Sequence, residues 1–457
     1  MLQPDDATSV YEPVGATQAL ARFVAQTQVL PEAVEHSARR CFTNILANMV
    51  AGSTDPEIAT MLSANSAFIG APTATILGIP RKVDPGTAAV LNSASGNILD
   101  FDDTHPSTLI HPSAPILAAV LPIAESGNAT ISDVLLAFAL GNEVAVRVGL
   151  ALGREHYANG WHITATCGTI GAAAGAAKML GLDENGIRNA IGIACTQAGG
   201  IACNFGSMAK SVGVGDAARS GLHAAFYARA GIDASPKALE GSKGYLEVTA
   251  PNPDPDAVTR DLGEVWESAS TAPKPYPACV FLHPVLDAVF ELRTDAQAHT
   301  EVDRVVVTGH PLLLAVTDRA LPANAHEAKL SLKHSVAVAW TTGAAGLAQY
   351  SNAAVNIPSV RALAARVEAI GDPSIPTEAA HVRIEFADGN VCETFVLAAR
   401  GSERRPLTDD ELLLKSSNLV ALRSEDFPFD AFISLCWSGK SHADLLQLLD
   451  MGGCRAT

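Results

Sequence analysis

Aromatic residues make up only 5% of this 457-residue chain, although 48% of it is hydrophobic. Its core must therefore close mainly on Ala, Gly, Val and Leu, which suits closely packed helices. Charged residues are scarce at 17%, and positive charge is scarcer still: 31 Lys and Arg stand against 48 Asp and Glu, a net charge of −17. Lys and Arg never gather into a basic tract, which argues against a nucleic-acid partner, because phosphate contacts need a basic face. The acidic shell also repels small polyanions at long range, so a site for one must carry its own local cations. The eight cysteines (41, 167, 195, 203, 279, 392, 436 and 454) show no CxxC or CxxxC spacing, so neither a disulfide framework nor a zinc cage is indicated. The opening residues MLQPDDATSVYEP lack a basic segment followed by an apolar one. The least charged stretches, 168–177 and 191–206, are rich in Gly, Ala, Cys and Thr and read as interior helices rather than membrane spans. These features predict a reduced, cytoplasmic protein that binds neither membrane nor nucleic acid.

What the chain does contain is helical periodicity. Apolar spacing predicts helices over 17–29 and 31–51, another from Pro56, one over 85–98, and largely apolar ones over 115–125 and 132–152. Helices over 168–180, 184–198 and 213–230 follow between Gly-rich joints. The pattern changes after Asn252-Pro-Asp-Pro-Asp, a loop signal. Residues 302–308 are rich in β-branched side chains, and 381–386, Asp388-Gly389-Asn390 and 391–397 read as a hairpin. Helices are expected near 280–293, 328–348 and 358–369, with a helical pattern resuming at Thr408. The predicted class is mainly α. A large, discontinuous all-helical domain covers 1–266 and 401–457, and a smaller α+β lid domain covers 267–400.

Four polar islands interrupt the apolar pattern. The densest runs from Asn97 to Ser113 and holds Asp100, Asp102, Asp103, Thr104, His105 and His111. Such groups are costly to bury unless paired or functional. Asp100-Phe-Asp-Asp-Thr104 matches the D-x-D-x-T pattern of metal-dependent phosphatases, but the residues before it do not read as a buried parallel strand. A helix N-cap with an acidic first turn explains Asp102 or Asp103 equally well. On a helix, Asp100 and Thr104 share one face. His111, just before a proline, reads as held at a helix entrance, and His105 as solvated. In the second island, Gly160-Trp161-His162, a core histidine is the plain reading. Its place before an Ala/Gly helix favours an open site. Lys210 is either a surface lysine or a desolvated one preceding a helix, and Lys274 is held by the prolines of Lys274-Pro-Tyr-Pro-Ala.

Taken together, Asp100-Phe-Asp-Asp-Thr104, His111-Pro-Ser, Gly160-Trp-His162, Lys210 before Gly-Asp-Ala-Ala-Arg219, Lys274-x-Tyr-Pro-Ala and Glu327-Ala-Lys-Leu-Ser-Leu resemble the MmgE/PrpD family. The resemblance runs from about residue 15 to 440. The family includes 2-methylcitrate dehydratase, cis-aconitate decarboxylase and iminodisuccinate epimerase. The resemblance implies a helical domain with an α+β lid, a homodimer, no cofactor and a small polycarboxylate substrate. It also implies a pocket lined by Asp100, Thr104, His111, His162, Lys210 and Lys274. Of these, His111 and His162 are the acid/base candidates, Lys210 and Lys274 bind carboxylates and stabilise charge, and Asp100 and Thr104 orient a histidine or the substrate. Cys279 stands where the decarboxylase has histidine, with His283 four residues on. His334 stands where a tyrosine is found, and His105 where a tryptophan follows the Asp-Thr pair. These four complete the candidate substrate contacts. The implied chemistry is dehydration or decarboxylation of a di- or tricarboxylate. Epimerisation of an amino-dicarboxylate is the alternative, followed by a metal-dependent phosphatase or a non-catalytic carboxylate-binding protein.

Overall fold

Helix Ile163–Met179 contains no residue larger than Ile until its last two, and every position from Ile163 to Ala177 is buried. In the computed structural model, which describes residues 15–295, 301–317, 321–424 and 427–453, it packs chiefly against Ser113–Ser126, Ile131–Ala158, Glu184–Gln197 and Ala209–Arg229. The scarcity of aromatics is explained here. A Cβ on Gly171 would lie 2.5 Å from the carbonyl oxygen of Gly141, and one on Gly221 would lie 2.4 Å from the Cβ of Ala172. These helices touch through their backbones, an approach that only glycine permits. The opening segment ahead of Gly15, and Cys454 in the tail, lie outside the described residues.

Helix starts follow the capping chemistry of the sequence. Asp84 caps Pro85–Ile98 by accepting from the Thr87 N–H, and Thr130 with Asp133 forms a capping box on Ile131–Ala158. This 28-residue helix is long and apolar enough to cross a membrane, but 89% of its most apolar window is buried inside the protein. It breaks at Gly153 (φ 67°, ψ 178°), a conformation reserved for glycine. The helices Asp409–Ala421 and Phe429–Ser438 pack on Glu32–Gly52, so the chain's end returns to its beginning.

The second hydrophobic core lies around a four-stranded sheet, ordered Val367–Gly371, Val302–Gly309, Ala380–Phe386, Val391–Val396. The first pair is parallel and the others antiparallel, and helices His283–Asp295 and Leu332–Thr342 share this core. Two expectations are corrected. The helix expected over 358–369 ends at Ala364, and Val367–Gly371 is a strand, because pairing with Val302–Gly309 outweighs local helical spacing. The helix expected over 328–348 covers only Leu332–Thr342, stopped by Gly343 in the left-handed region at φ 71°.

Candidate active site

The Asp100 island lies where helix Pro85–Ile98 ends, and it is not helical. Asp100 itself has φ 53°, and Asp103–Thr104 pairs antiparallel with Ala272–Pro273. Asp100 and Thr104 therefore do not share a helical face, and the acidic triplet is not a helix cap. Buried pairing partners displace the local preference. The strand pair, with the Lys274 N–H donating to the Asp102 carbonyl (3.0 Å), carries the Lys274 side chain under the island. Its ammonium reaches Asp100 Oδ1 at 2.6 Å and lies 3.7 Å from Asp102 Oδ1. Lys210, in the first turn of helix Ala209–Arg229, approaches the same Asp100 oxygen at 3.5 Å. A cation at a helix N-terminus is electrostatically misplaced, so Asp100 compensates for it locally. Burial alone would raise the Asp100 pKa. Lys210 and Lys274 more than reverse this and hold the carboxyl well below its usual range. Burial opposes the charge on Lys274, but Asp100 and Asp102 outweigh it and raise the pKa.

The histidines are set differently. His111 Nδ1 lies 2.8 Å from the carbonyl oxygen of Asp103 and 2.9 Å from Thr104 Oγ1. A carbonyl only accepts, so Nδ1 carries the proton and Nε2 is left as the acceptor. Burial, reinforced by Lys274, lowers the His111 pKa to about 4. His162 forms the N-cap position of helix Ile163–Met179, with its ring edge-on to Phe205 at 4.9 Å. Among the described residues, no protein group hydrogen-bonds its ring. Burial, then Lys210, holds its pKa well below the ordinary value. Both rings are thus neutral bases at neutral pH.

Asp100, Thr104, His111, His162, Lys210, Lys274 and Cys279 all line one inner chamber of about 60 Å³. Burial raises the Cys279 pKa to about 11, so its thiol stays protonated. Thr104, Leu109, Lys274, Val280 and Phe281 line both this chamber and an adjoining vestibule of about 310 Å³. His283 lines the vestibule rather than the chamber. Its Nε2 donates to the Ala278 carbonyl (3.1 Å), and burial lowers its pKa to about 3.

Two expected contacts are corrected. His105 is not solvated: it is 1% exposed, its Nδ1 pairs with Thr108 Oγ1 at 2.9 Å, and it lines neither cavity. His334 is buried with Nε2 donating to the Gln349 carbonyl at 2.8 Å, and it too lines neither. Both rings spend a nitrogen on holding local structure. The D-x-D-x-T reading also loses its nucleophile, since the Asp100 carboxylate is held between two ammonium groups.

The sequence reading passed over several groups. Tyr157 and Phe205 line the chamber, and burial raises the Tyr157 pKa. Lys329 donates to the Ile98 carbonyl (2.9 Å) at the end of helix Pro85–Ile98, and burial lowers its pKa to about 8. Lys415, from a helix 300 residues downstream in broad terms of the chain, sits beneath the island. It donates to Asn44 Oδ1 (2.8 Å) and to the carbonyls of Phe101 (2.7 Å) and Lys274 (2.8 Å). Lys329 lies within the Glu327-Ala-Lys-Leu-Ser-Leu segment, whereas Lys415 carried only the signal of a lysine amid apolar helical spacing.

Residues 18–258 match the MmgE/PrpD N-terminal domain, and residues 276–427 match the MmgE/PrpD C-terminal domain. The chain is 28% identical over 459 residues to a cis-aconitate decarboxylase of Aspergillus terreus (strain NIH 2624 / FGSC A1156), covering 94% of this chain and 93% of that protein. It is 29% identical over 356 residues to the cis-aconitate decarboxylase of Homo sapiens, covering 74% and 73% respectively. It is 26% identical over 408 residues to the cis-aconitate decarboxylase-like protein oryM of Aspergillus oryzae, covering 82% and 84%.

Proposed function

Because this chain belongs to the MmgE/PrpD family and is an enzyme of it, we propose that it is a cofactor-independent lyase acting on a small di- or tricarboxylate. The observation that carries this reading is the inner chamber itself. Two lysines, paired through one carboxylate, share it with two histidines whose rings are neutral. Ile163 and Thr164, the first residues of helix Ile163–Met179, line the same space, and a helix N-terminus suits an anion.

The chemistry follows from those charges. In a decarboxylation the bond to the departing carboxylate breaks, CO₂ leaves, and the electron pair passes into the remaining conjugated carboxylate. The ammonium groups of Lys210 and Lys274 face the charge that develops there. An imidazolium then delivers the proton to carbon. His111 and His162 are neutral in the empty site, and a polyanionic substrate would raise their proton affinity and supply that acid. In a dehydration the same imidazoles remove the proton next to the carboxylate and protonate the leaving hydroxyl. The relatives, all decarboxylases or decarboxylase-like by name, favour the first reaction on a tricarboxylate such as cis-aconitate. Two neutral imidazoles on one chamber are also what a two-base epimerase requires, and epimerisation of an amino-dicarboxylate is the second reading.

Proton NMR in D₂O separates these readings, with 2-methylcitrate, citrate, cis-aconitate and iminodisuccinate offered in turn. Itaconate from cis-aconitate, or new vinyl signals from the hydroxy acids, is the expected result. Deuterium uptake with an unchanged skeleton would instead establish the epimerase, and silence across the panel would remove the substrate class. A homodimer belongs to the same proposal, supported by exposed Ile201, Met208 and Val212 near the chamber. Light scattering should give twice the 47.3 kDa chain mass. A reducing, cytoplasmic setting belongs to the same proposal.

A further inference from the structure

Ligand cavities commonly enclose about 300–1,000 Å³. The inner chamber, at about 60 Å³, admits only one end of a polycarboxylate, and the remainder must extend into the vestibule. What lines the vestibule then decides which substrates fit. Gly153 breaks the long helix Ile131–Ala158 there, and a Cβ on it would meet nothing within 4 Å, so packing does not demand glycine; the backbone turn does. The turn sets Arg154 and Tyr157, three residues apart on the final helical segment, toward the two cavities. Arg154 lines the vestibule and Tyr157 the chamber. The turn following Arg400 contributes Arg404 to the same lining. Among the described residues, neither Arg154 nor Arg404 forms an ion pair, whereas Arg400 is engaged by Glu411 at 2.8 Å. Glu378 and Glu403 also line the vestibule, so it is not uniformly positive. Two exposed arginines that line one cavity without an ion pair, in a chain of net charge −17, nevertheless mark a place for an anion.

We propose that Arg154 and Arg404 form a second carboxylate subsite in the vestibule, which holds a carboxylate remote from the reacting carbon and selects tricarboxylates over dicarboxylates. This rests on the reading of the inner chamber given above. The Gly153 break is the device that presents Arg154.

The test measures binding rather than turnover. Calorimetry with the full chain compares propane-1,2,3-tricarboxylate with methylsuccinate, the same skeleton lacking one terminal carboxylate. Arg154→Gln and Arg404→Gln should each weaken the tricarboxylate about tenfold and leave methylsuccinate unchanged. Lys210→Met, inside the chamber, should weaken both. If Arg154→Gln and Arg404→Gln leave both affinities intact while Lys210→Met weakens them, the subsite is refuted and the chamber assignment stands. An equal loss for both ligands would mean a general field effect and would also overturn the subsite. If the unaltered protein binds neither compound, the chamber assignment fails and the subsite falls with it.

Discussion

Asp100 combines a left-handed backbone, which costs a non-glycine residue about 1–2 kcal/mol, with burial between two lysines. Strain of this kind is kept where the surroundings over-determine it, and here the ammonium groups do so. His162 is the opposite case, a ring without a hydrogen bond to the protein. Replacing it by alanine should lower kcat/KM about a hundredfold or more, and Lys210→Ala should do likewise with an added loss of stability, because Asp100 then keeps Lys274 alone. Near-normal turnover of the true substrate by both variants would remove them from the mechanism. The same residues imply a pH dependence of stability. His111 and His105 are lowered from 6.5 to about 4, and His283 to about 3, all chiefly by burial. The unfolded chain protonates these rings first, so the stability they confer is complete above pH 6.5 and is lost as pH falls toward 4. His111 alone accounts for roughly 3 kcal/mol at the acid end. Asp103 runs the other way: burial raises it from 3.8 to about 6, so its contribution is present below 3.8 and lost as pH rises through 6. Three rings against one carboxyl leave a net loss on acidification. Urea unfolding midpoints at pH 7, 5.5 and 4.5 should fall in that order, and a flat profile would contradict the burial of these rings.

Among the elements, the small-residue helices depend on a few backbone contacts. A Cβ on Gly221 would lie 2.7 Å from the Ala173 nitrogen and 2.8 Å from the Thr169 carbonyl oxygen, neither of which can swing aside. Gly221→Ala should therefore destabilise the protein by about 1–3 kcal/mol, seen as a lower urea midpoint at unchanged slope. No change in midpoint would mean that the helices can separate at no cost. These helices were readable from the chain because apolar spacing and caps such as Asp84 and Thr130 act within a few residues. Strand Val367–Gly371 was not, since its partner Val302–Gly309 lies about sixty residues earlier. The conformation of Asp100–Thr104 escaped for the same reason: its partner, Ala272–Pro273, is far along the chain.

For the whole molecule, the site depends on lysines that tie distant parts of the chain together. Lys415 bonds to groups from Asn44, Phe101 and Lys274, and its charge faces Asp102 and Asp103. Lys415→Met preserves much of the side-chain volume but takes the donor from the Lys274 carbonyl, leaves the Phe101 carbonyl and Asn44 Oδ1 to Asn48 alone, and removes a cation facing Asp102 and Asp103. We expect a stability loss of about 1–3 kcal/mol together with a fall in kcat that Lys415→Arg only partly restores. Full activity with only a stability loss would make Lys415 a purely structural residue. By itself the sequence determined the helical class, the hairpin, the family and the residue types of the chamber, because periodicity, capping and short motifs are local. Only the tertiary structure decided which histidines face the cavity and which are spent on local structure, since His105, His111, His162 and His334 differ in partners rather than in kind. It also decided that Asp100 sits between Lys210 and Lys274. Charge pairing acts through space at 3–4 Å, and the three groups are brought that close by a helix end, a helix start and a strand pair far apart in the chain.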